Sequence, residues 1–177
     1  SQKAQDLRHA FLLALPREAI VDLEVKPFNP SGVVMNSHFT LPGQTGYSTI
    51  VASSGVKEYT TGTQAERTAQ ALALVKKYYP TASATNSVVD IKMNFKNSQR
   101  RIDENKLIAA EAAKAGFNVS TTPNAKWSTM LDDVQYDVAM FAWAPSSVSQ
   151  TGTNANFLTD GGNNHSGWGT SALDTIL

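Results

Sequence analysis

The run VDIKMNF, residues 89–95, decides the fold class. Val89, Ile91, Met93 and Phe95 alternate with Asp90, Lys92 and Asn94, and this two-residue period predicts a β-strand over Val88 to Phe95 with its apolar set on one face. Directly downstream, Ser98 stands at a cap position, Gln99 to Ala115 carries a helical pattern, and Gly116 suits the helix C-cap. FNVST (117–121) reads as a short strand, Ala125 to Asp133 as a short helix, and Tyr136 to Trp143 as a further strand. Strand, helix, strand, helix, strand in that order predicts βαβ units. The class is therefore α/β, with a mostly parallel central sheet flanked by helices.

Upstream, Leu7, Ala10, Phe11, Ala14 and Leu15 recur at three and four, which predicts a buried helix over Gln5 to Leu15. Pro16 ends it and suits the first turn of a second helix, REAIVDL (17–23). Pro27 to Gly62 reads as one long irregular region containing the turn cluster LPGQTGY (41–47). A helix is predicted over Gln64 to Tyr79, with Ala65, Ala69, Leu72 and Val75 on one face and Pro80 ending it. No internal repeat is present.

Composition excludes several classes. The 177 residues are enough for one domain, and the formal net charge of zero argues against a nucleic-acid partner. Charge is unevenly placed: beyond Lys126 there is no Lys or Arg, while Asp132, Asp133, Asp137, Asp160 and Asp174 remain. With no cysteine, disulfides, thiolate metal sites and cysteine nucleophiles are excluded. No run approaches the ~20 apolar residues that span a bilayer, and no run reads as a signal peptide. The chain starts on a helical pattern and stops within another, ALDTIL (172–177). Both ends read as cut, so a single lobe over residues 1–177 of a longer protein is expected.

No catalytic signature emerges. His9, His38 and His165 are far apart in sequence and have no close-spaced ligand partner, so neither a metal nor any other cofactor is expected. GxSxG is absent, GQTG and DGGNNHSGWG lack the trailing Lys of a phosphate loop, and Asp132–Asp133 reads as a helix end. What remains is a binding pattern. Trp127, Trp143 and Trp168 lie in the second half, two of them beside Gly/Ser/Asn loops that suit a pocket for polar, partly apolar ligands, although each of the three would serve equally to close the core. Trp143 ends the last strand, at the edge where open α/β sheets bind ligands, and no charged residue occurs from Val138 to Thr159.

The motifs LRHAFLLALPREAIV (7–21), LPGQTGY (41–47), QAERTAQALALVKKYYP (64–80), RRIDENKLIAAEAAKAGFNV (100–119), YDVAMFAW (136–143) and NNHSGWGTSALDTIL (163–177) occur in one order and spacing. That order resembles the C-terminal lobe of the family 5 extracellular solute-binding proteins, which serve peptide and nickel ABC importers. The resemblance spans nearly the whole chain. It implies a type II periplasmic-binding-protein lobe, extracytoplasmic in the periplasm or on the cell surface as a lipoprotein. It also implies a monomer that closes on its ligand with a second lobe of the same protein and delivers it to a membrane permease. An oligopeptide is the ligand expected first.

Trp143 would form the pocket floor or a stacking wall, Pro145 and Ser146 would present loop backbone, and Asn163, Asn164 and His165 would line the other side. Arg100 or Arg101 would meet a ligand carboxylate, as an Arg near this helix start does in dipeptide-binding relatives, or else stand as a solvated charge at the helix end. Peptide-binding members carry an Asp three residues after the Trp, where this chain has Ser146, and an Arg three before it, where this chain has Met140. The missing carboxylate points toward a peptide held by its backbone, or toward an uncharged ligand such as an oligosaccharide. A nickel site would require the three histidines to converge. Outside the resemblance, an enzyme domain would need clustered titratable groups in one cleft, and an interaction module would present a flat surface around Trp143.

Overall fold

The computed structural model describes residues 1–38, 40–120, 122–142 and 154–177. In it the run 89–95 is not one strand but two: β1 (Val89–Ile91) and β2 (Met93–Phe95), divided at Lys92. β1 pairs in parallel with β3 (Phe117–Val119), with Val89 opposite Phe117 and Ile91 opposite Val119. β2 pairs in parallel with β4 (Val138–Met140), with Met93 opposite Val138 and Phe95 opposite Met140. Successive residues of an extended chain turn their backbone groups to opposite edges. Thus the Ile91 carbonyl accepts from Ser120 N–H at 2.9 Å, while the next carbonyl, Lys92, accepts from Asp137 and Val138 N–H at 2.9 and 3.2 Å. One segment carries a neighbour on each edge, with β3 on one side and β4 on the other.

Parallel neighbours require crossovers. α5 (Gln99–Lys114) leads from β2 to β3, and α6 (Trp127–Asp132) leads from β3 to β4. α5 ends where the sequence places its stop: Gly116 has φ +88°, the left-handed conformation that turns the chain into β3. Ser98 occupies the N-cap with extended backbone, but its side chain makes no capping hydrogen bond, a departure from the cap expected there.

The helices of the first half cover α5. α1 (Gln2–Leu13) packs on α4 (Gln64–Lys76), which packs on α5, and α2 (Arg17–Glu24) also rests on α5. A capping box starts α4: Thr63 Oγ1 accepts from Glu66 N–H at 3.3 Å, and the Glu66 carboxylate accepts from Thr63 N–H at 2.7 Å. The core joins Phe11, Leu13, Ala71, Val75, Ile108 and Ala112 to the strand residues Met93, Phe95 and Phe117. Phe11 and Phe117 meet edge to face at 5.5 Å.

Three expectations are corrected. The region 27–62 is not continuous loop, for it holds α3 (Tyr47–Ser53) and a 3₁₀ turn, Gly55–Tyr59. On α4 the buried face is Thr68, Ala71 and Val75, whereas Ala65 and Ala69 are exposed. The helix is rotated because Arg67, only 2% exposed, donates to the Gly62 carbonyl, Gln64 Oε1 and Glu18 Oε2 at 2.8–2.9 Å, and Thr68 Oγ1 donates to Glu111 at 2.6 Å. A buried guanidinium needs those partners, and they outrank the alanine stripe. Asn94, expected on the polar face of its strand, is also buried; its amide donates to the Trp127 carbonyl at 2.8 Å and ties β2 to α6.

Asp6 ties α1 to the end of α4, accepting from Lys77 Nζ at 2.8 Å and from the Tyr78 hydroxyl and Gln2 amide at 2.6 Å. These bonds, Lys77 first, hold its carboxyl well below the usual carboxylate range. A depressed native pKa contributes stability that is present above the unfolded-state value and is lost as pH falls through the native one. Asp6→Asn should therefore flatten the acid limb of a stability-against-pH curve below about pH 4; an unchanged limb would sink this assignment. At Gly116 an added Cβ would lie 3.1 Å from Ala82 Cβ and 3.3 Å from Val75 Cγ1, besides the positive φ. Gly116→Ala should cost about 1–3 kcal/mol by urea denaturation.

Candidate functional site

The carboxyl edge of the strands is where the chain brings its loops together. Phe95 and Met140 stand side by side in register, so the segments leaving β2 and β4 emerge at one edge. The segment after β3 joins them, since Lys96 bridges Asn124 in parallel and Asn124 N–H donates to the Phe95 carbonyl at 3.2 Å. Three strand exits thus converge, the arrangement that open α/β sheets use to hold ligands. Trp143, Pro145 and Ser146 follow directly on Phe141 and Ala142 and lie outside the described residues.

Arg100 and Arg101 sit in the first turn of α5, just after β2. Both are engaged. Arg100 Nε lies 2.9 Å from Glu24 Oε2 and 3.2 Å from Glu104 Oε1, and Arg101 Nη1 lies 2.6 Å from Glu104 Oε2. The Glu104 side chain is 4% exposed, so the two guanidiniums compensate a buried carboxylate. A ligand carboxylate at this edge would have to compete with Glu104 and Glu24. Arg100, with 61% of its side chain exposed, has the freer face.

His165 is brought to the root of the loop after β4. Its ring stands perpendicular to Phe141 at 5.7 Å, its carbonyl accepts from the Tyr136 hydroxyl at 3.0 Å, and its Nδ1 lies 3.8 Å from Asp132 Oδ1. Tyr136 and Phe141 flank β4, and both meet His165. Burial pushes the Tyr136 hydroxyl pKa up, and the Asp132 charge adds to it, so the phenol stays a donor. Asn164 serves its own turn. Its amide donates to the Leu158 and Trp168 carbonyls at 2.9 Å each, and its oxygen accepts from Ser166 Oγ at 2.7 Å. Asn163 is held through its backbone, with its N–H on the Ala155 carbonyl at 3.2 Å. Trp168 is 63% exposed at the end of that turn.

Sequence reasoning did not find Asp132, Tyr136, Phe141 or Glu104. Glu104 was discoverable, since it lies three and four residues beyond Arg101 and Arg100 on one helix face. No local pattern links Tyr136 to His165, which lie 29 positions apart. The other histidines are elsewhere: His9 stands beside Glu58 and Tyr59, and His38 faces Phe157. Among the described residues no group of three His, Cys, Asp or Glu side chains could hold a metal ion, and no helix is long and apolar enough to cross a membrane.

No protein-family model matches the sequence, and no curated protein matches it. Among solved structures the chain is similar to Haemophilus influenzae OppA in complex with RPPGFSPFR, with a TM-score of 0.65 at 18% identity. The fold is of the type II periplasmic-binding-protein class. The match covers 96% of this chain and 32% of OppA, so the chain spans about a third of that structure's length. It corresponds in fold to one part of such a protein.

The hydrogen bonds separate the two neighbouring asparagines. Asn164→Ala, which strips three bonds from the turn, should lower stability by about 1–2 kcal/mol in thermal unfolding. Asn163→Ala should leave it within about 0.5 kcal/mol. Equal losses at the two positions would refute this division of roles.

Proposed function

We propose that the chain is a substrate-binding lobe of a two-lobed extracytoplasmic receptor that captures an oligopeptide-like ligand and passes it to the membrane permease of an ABC importer. The observation that carries this reading is the convergence of three strand exits at one edge, in a fold shared with a structure solved around RPPGFSPFR. The role is capture by hinge closure, without catalysis. Trp143 forms an apolar wall, while Pro145 and Ser146 present backbone to the ligand. His165 and Asn163 line the opposite side on a turn braced by Asn164, and Arg100 supplies charge at the α5 start.

A second ligand class is favoured by one specific feature. The run from Val138 to Thr159 carries no charge, and by the family resemblance Ser146 stands where a peptide receptor would bear its ammonium-binding carboxylate. Such a surface suits an uncharged ligand such as an oligosaccharide, stacked on Trp143 and bonded by neutral side chains.

A thermal-shift screen of the full-length receptor separates the two. A peptide present at about 100 times its Kd should stabilise the receptor by about 2.7 kcal/mol, a shift of several degrees. Trp143→Ala should remove the shift while leaving the ligand-free melting temperature nearly unchanged. Shifts with sugars and none with peptides would transfer the assignment to the second class. No shift with either pool would overturn the receptor reading.

A further inference from the structure

Of the nine large hydrophobic side chains exposed among the described residues, six lie between positions 12 and 41: Leu12, Leu23, Phe28, Val33, Met35 and Leu41. Phe28 is 89% exposed and Met35 49%. Part of this stretch is shaped. An open groove of about 430 Å³ runs between the end of α1, the start of α2, residues 35–38 and the 3₁₀ turn. Leu12, Leu15, Met35, Val56 and Tyr59 give it an apolar lining, and none of the binding residues proposed above borders it.

Arg17 supplies the groove with a charge. Its Nη2 donates to the Met35 carbonyl at 2.7 Å and to Asn36 Oδ1 at 2.9 Å, both neutral acceptors. Among the described residues no carboxylate lies within ion-pair distance of it, whereas the neighbouring Arg67 has Glu18 at 2.8 Å. Burial pushes the Arg17 pKa down, against the charge of the adjacent Glu18, whose carboxylate is bonded to Arg67 instead. A half-buried guanidinium held by neutral acceptors, in an apolar groove, is complementary to an apolar segment that brings a carboxylate. Exposed apolar patches of this kind mark contact surfaces.

We infer that the groove formed by Leu12, Arg17, Met35 and Tyr59 is the seat of the rest of the receptor, which docks an apolar segment there and sets an Asp or Glu side chain against Arg17. This rests on the two-lobed reading above, and on a fold match that occupies 32% of the OppA chain and leaves the remaining two thirds to be accommodated. The groove is separate from the strand edge proposed to hold ligand, since its lining comes from α1, α2, residues 35–38 and the 3₁₀ turn.

Oxidative footprinting of the full-length chain tests the inference, with the buried Met93 as internal reference, being 4% exposed. Met35 should be modified at a rate within a few fold of Met93, despite its exposure here. Leu12→Arg replaces a side chain that is already 44% exposed. It should raise Met35 modification at least tenfold, leave Met93 unchanged, and lower the melting temperature by several degrees. Rapid modification of Met35 in the unaltered full-length chain overturns the inference. So does shielding that appears only as protein concentration rises, which would make the occupant a second copy. Ligand-induced thermal shifts report separately on the proposed function: shifts with Met35 readily oxidised leave that function standing and remove this interface, whereas a shielded Met35 with no shift from any ligand does the reverse.

Discussion

Backbone hydrogen bonding at Lys92 is the constraint on which the architecture depends. A strand's alternate residues present their N–H and C=O groups to opposite edges, and a buried strand must satisfy both. The 89–95 segment does so by changing neighbours at its midpoint, with Ile91 bonded toward β3 and Lys92 toward β4. Asp137 reinforces the change, its carboxylate accepting from Lys92 N–H at 2.7 Å. Because both neighbours run parallel to the segment, each needs a crossover, and α5 and α6 follow from that requirement. The same pairing delivers the exits of β2, β3 and β4 to a single edge, so the place of the candidate site is a consequence of strand register.

Buried polar groups orient the helices on this frame. Arg67 gathers Glu18, Gln64 and the Gly62 carbonyl, and so links α2 to the start of α4. Thr68 reaches Glu111 on α5, while Glu104 on α5 gathers Arg100 and Arg101, with Arg100 extending to Glu24 on α2. Removing one partner from a buried ion pair typically costs about 3–5 kcal/mol, more than the transfer of an exposed alanine is worth. That inequality explains why α4 turns Thr68 and Arg67 inward and leaves Ala65 and Ala69 in water. It also tempers the electrostatics of the candidate edge, where Arg101 arrives already paired with Glu104 and Arg100 keeps an exposed face.

Much of the fold was legible because its signals are local. Period-2 alternation marked the central segment, the Ser98 and Gly116 positions bounded α5, and Pro16 separated α1 from α2. The order of these elements implied parallel pairing, which the register bears out. α3 and the 3₁₀ turn were missed because Pro, Gly and Ser around residues 41–62 read as loop, while Tyr47 contributes through a distant bond, its hydroxyl accepting from Asn36 N–H at 3.0 Å. In the candidate site, Arg100 and Arg101 open α5 just after β2, and His165 meets Phe141 at the root of the loop after β4. Their partners Glu24, Tyr136 and Phe141 come from elements far along the chain.

By itself, then, the sequence determined the class: periodicity and caps are properties of neighbouring residues, and those residues hold the needed information. It also determined the absence of charge from Val138 to Thr159. Only the tertiary structure decided that the 89–95 segment is shared between two partners, that Asn94 and Arg67 are buried, and that Asn164 braces its own turn. Each of these depends on which distant group satisfies a buried donor or acceptor. The free energy of that choice is set by the packed surroundings, which no local pattern encodes.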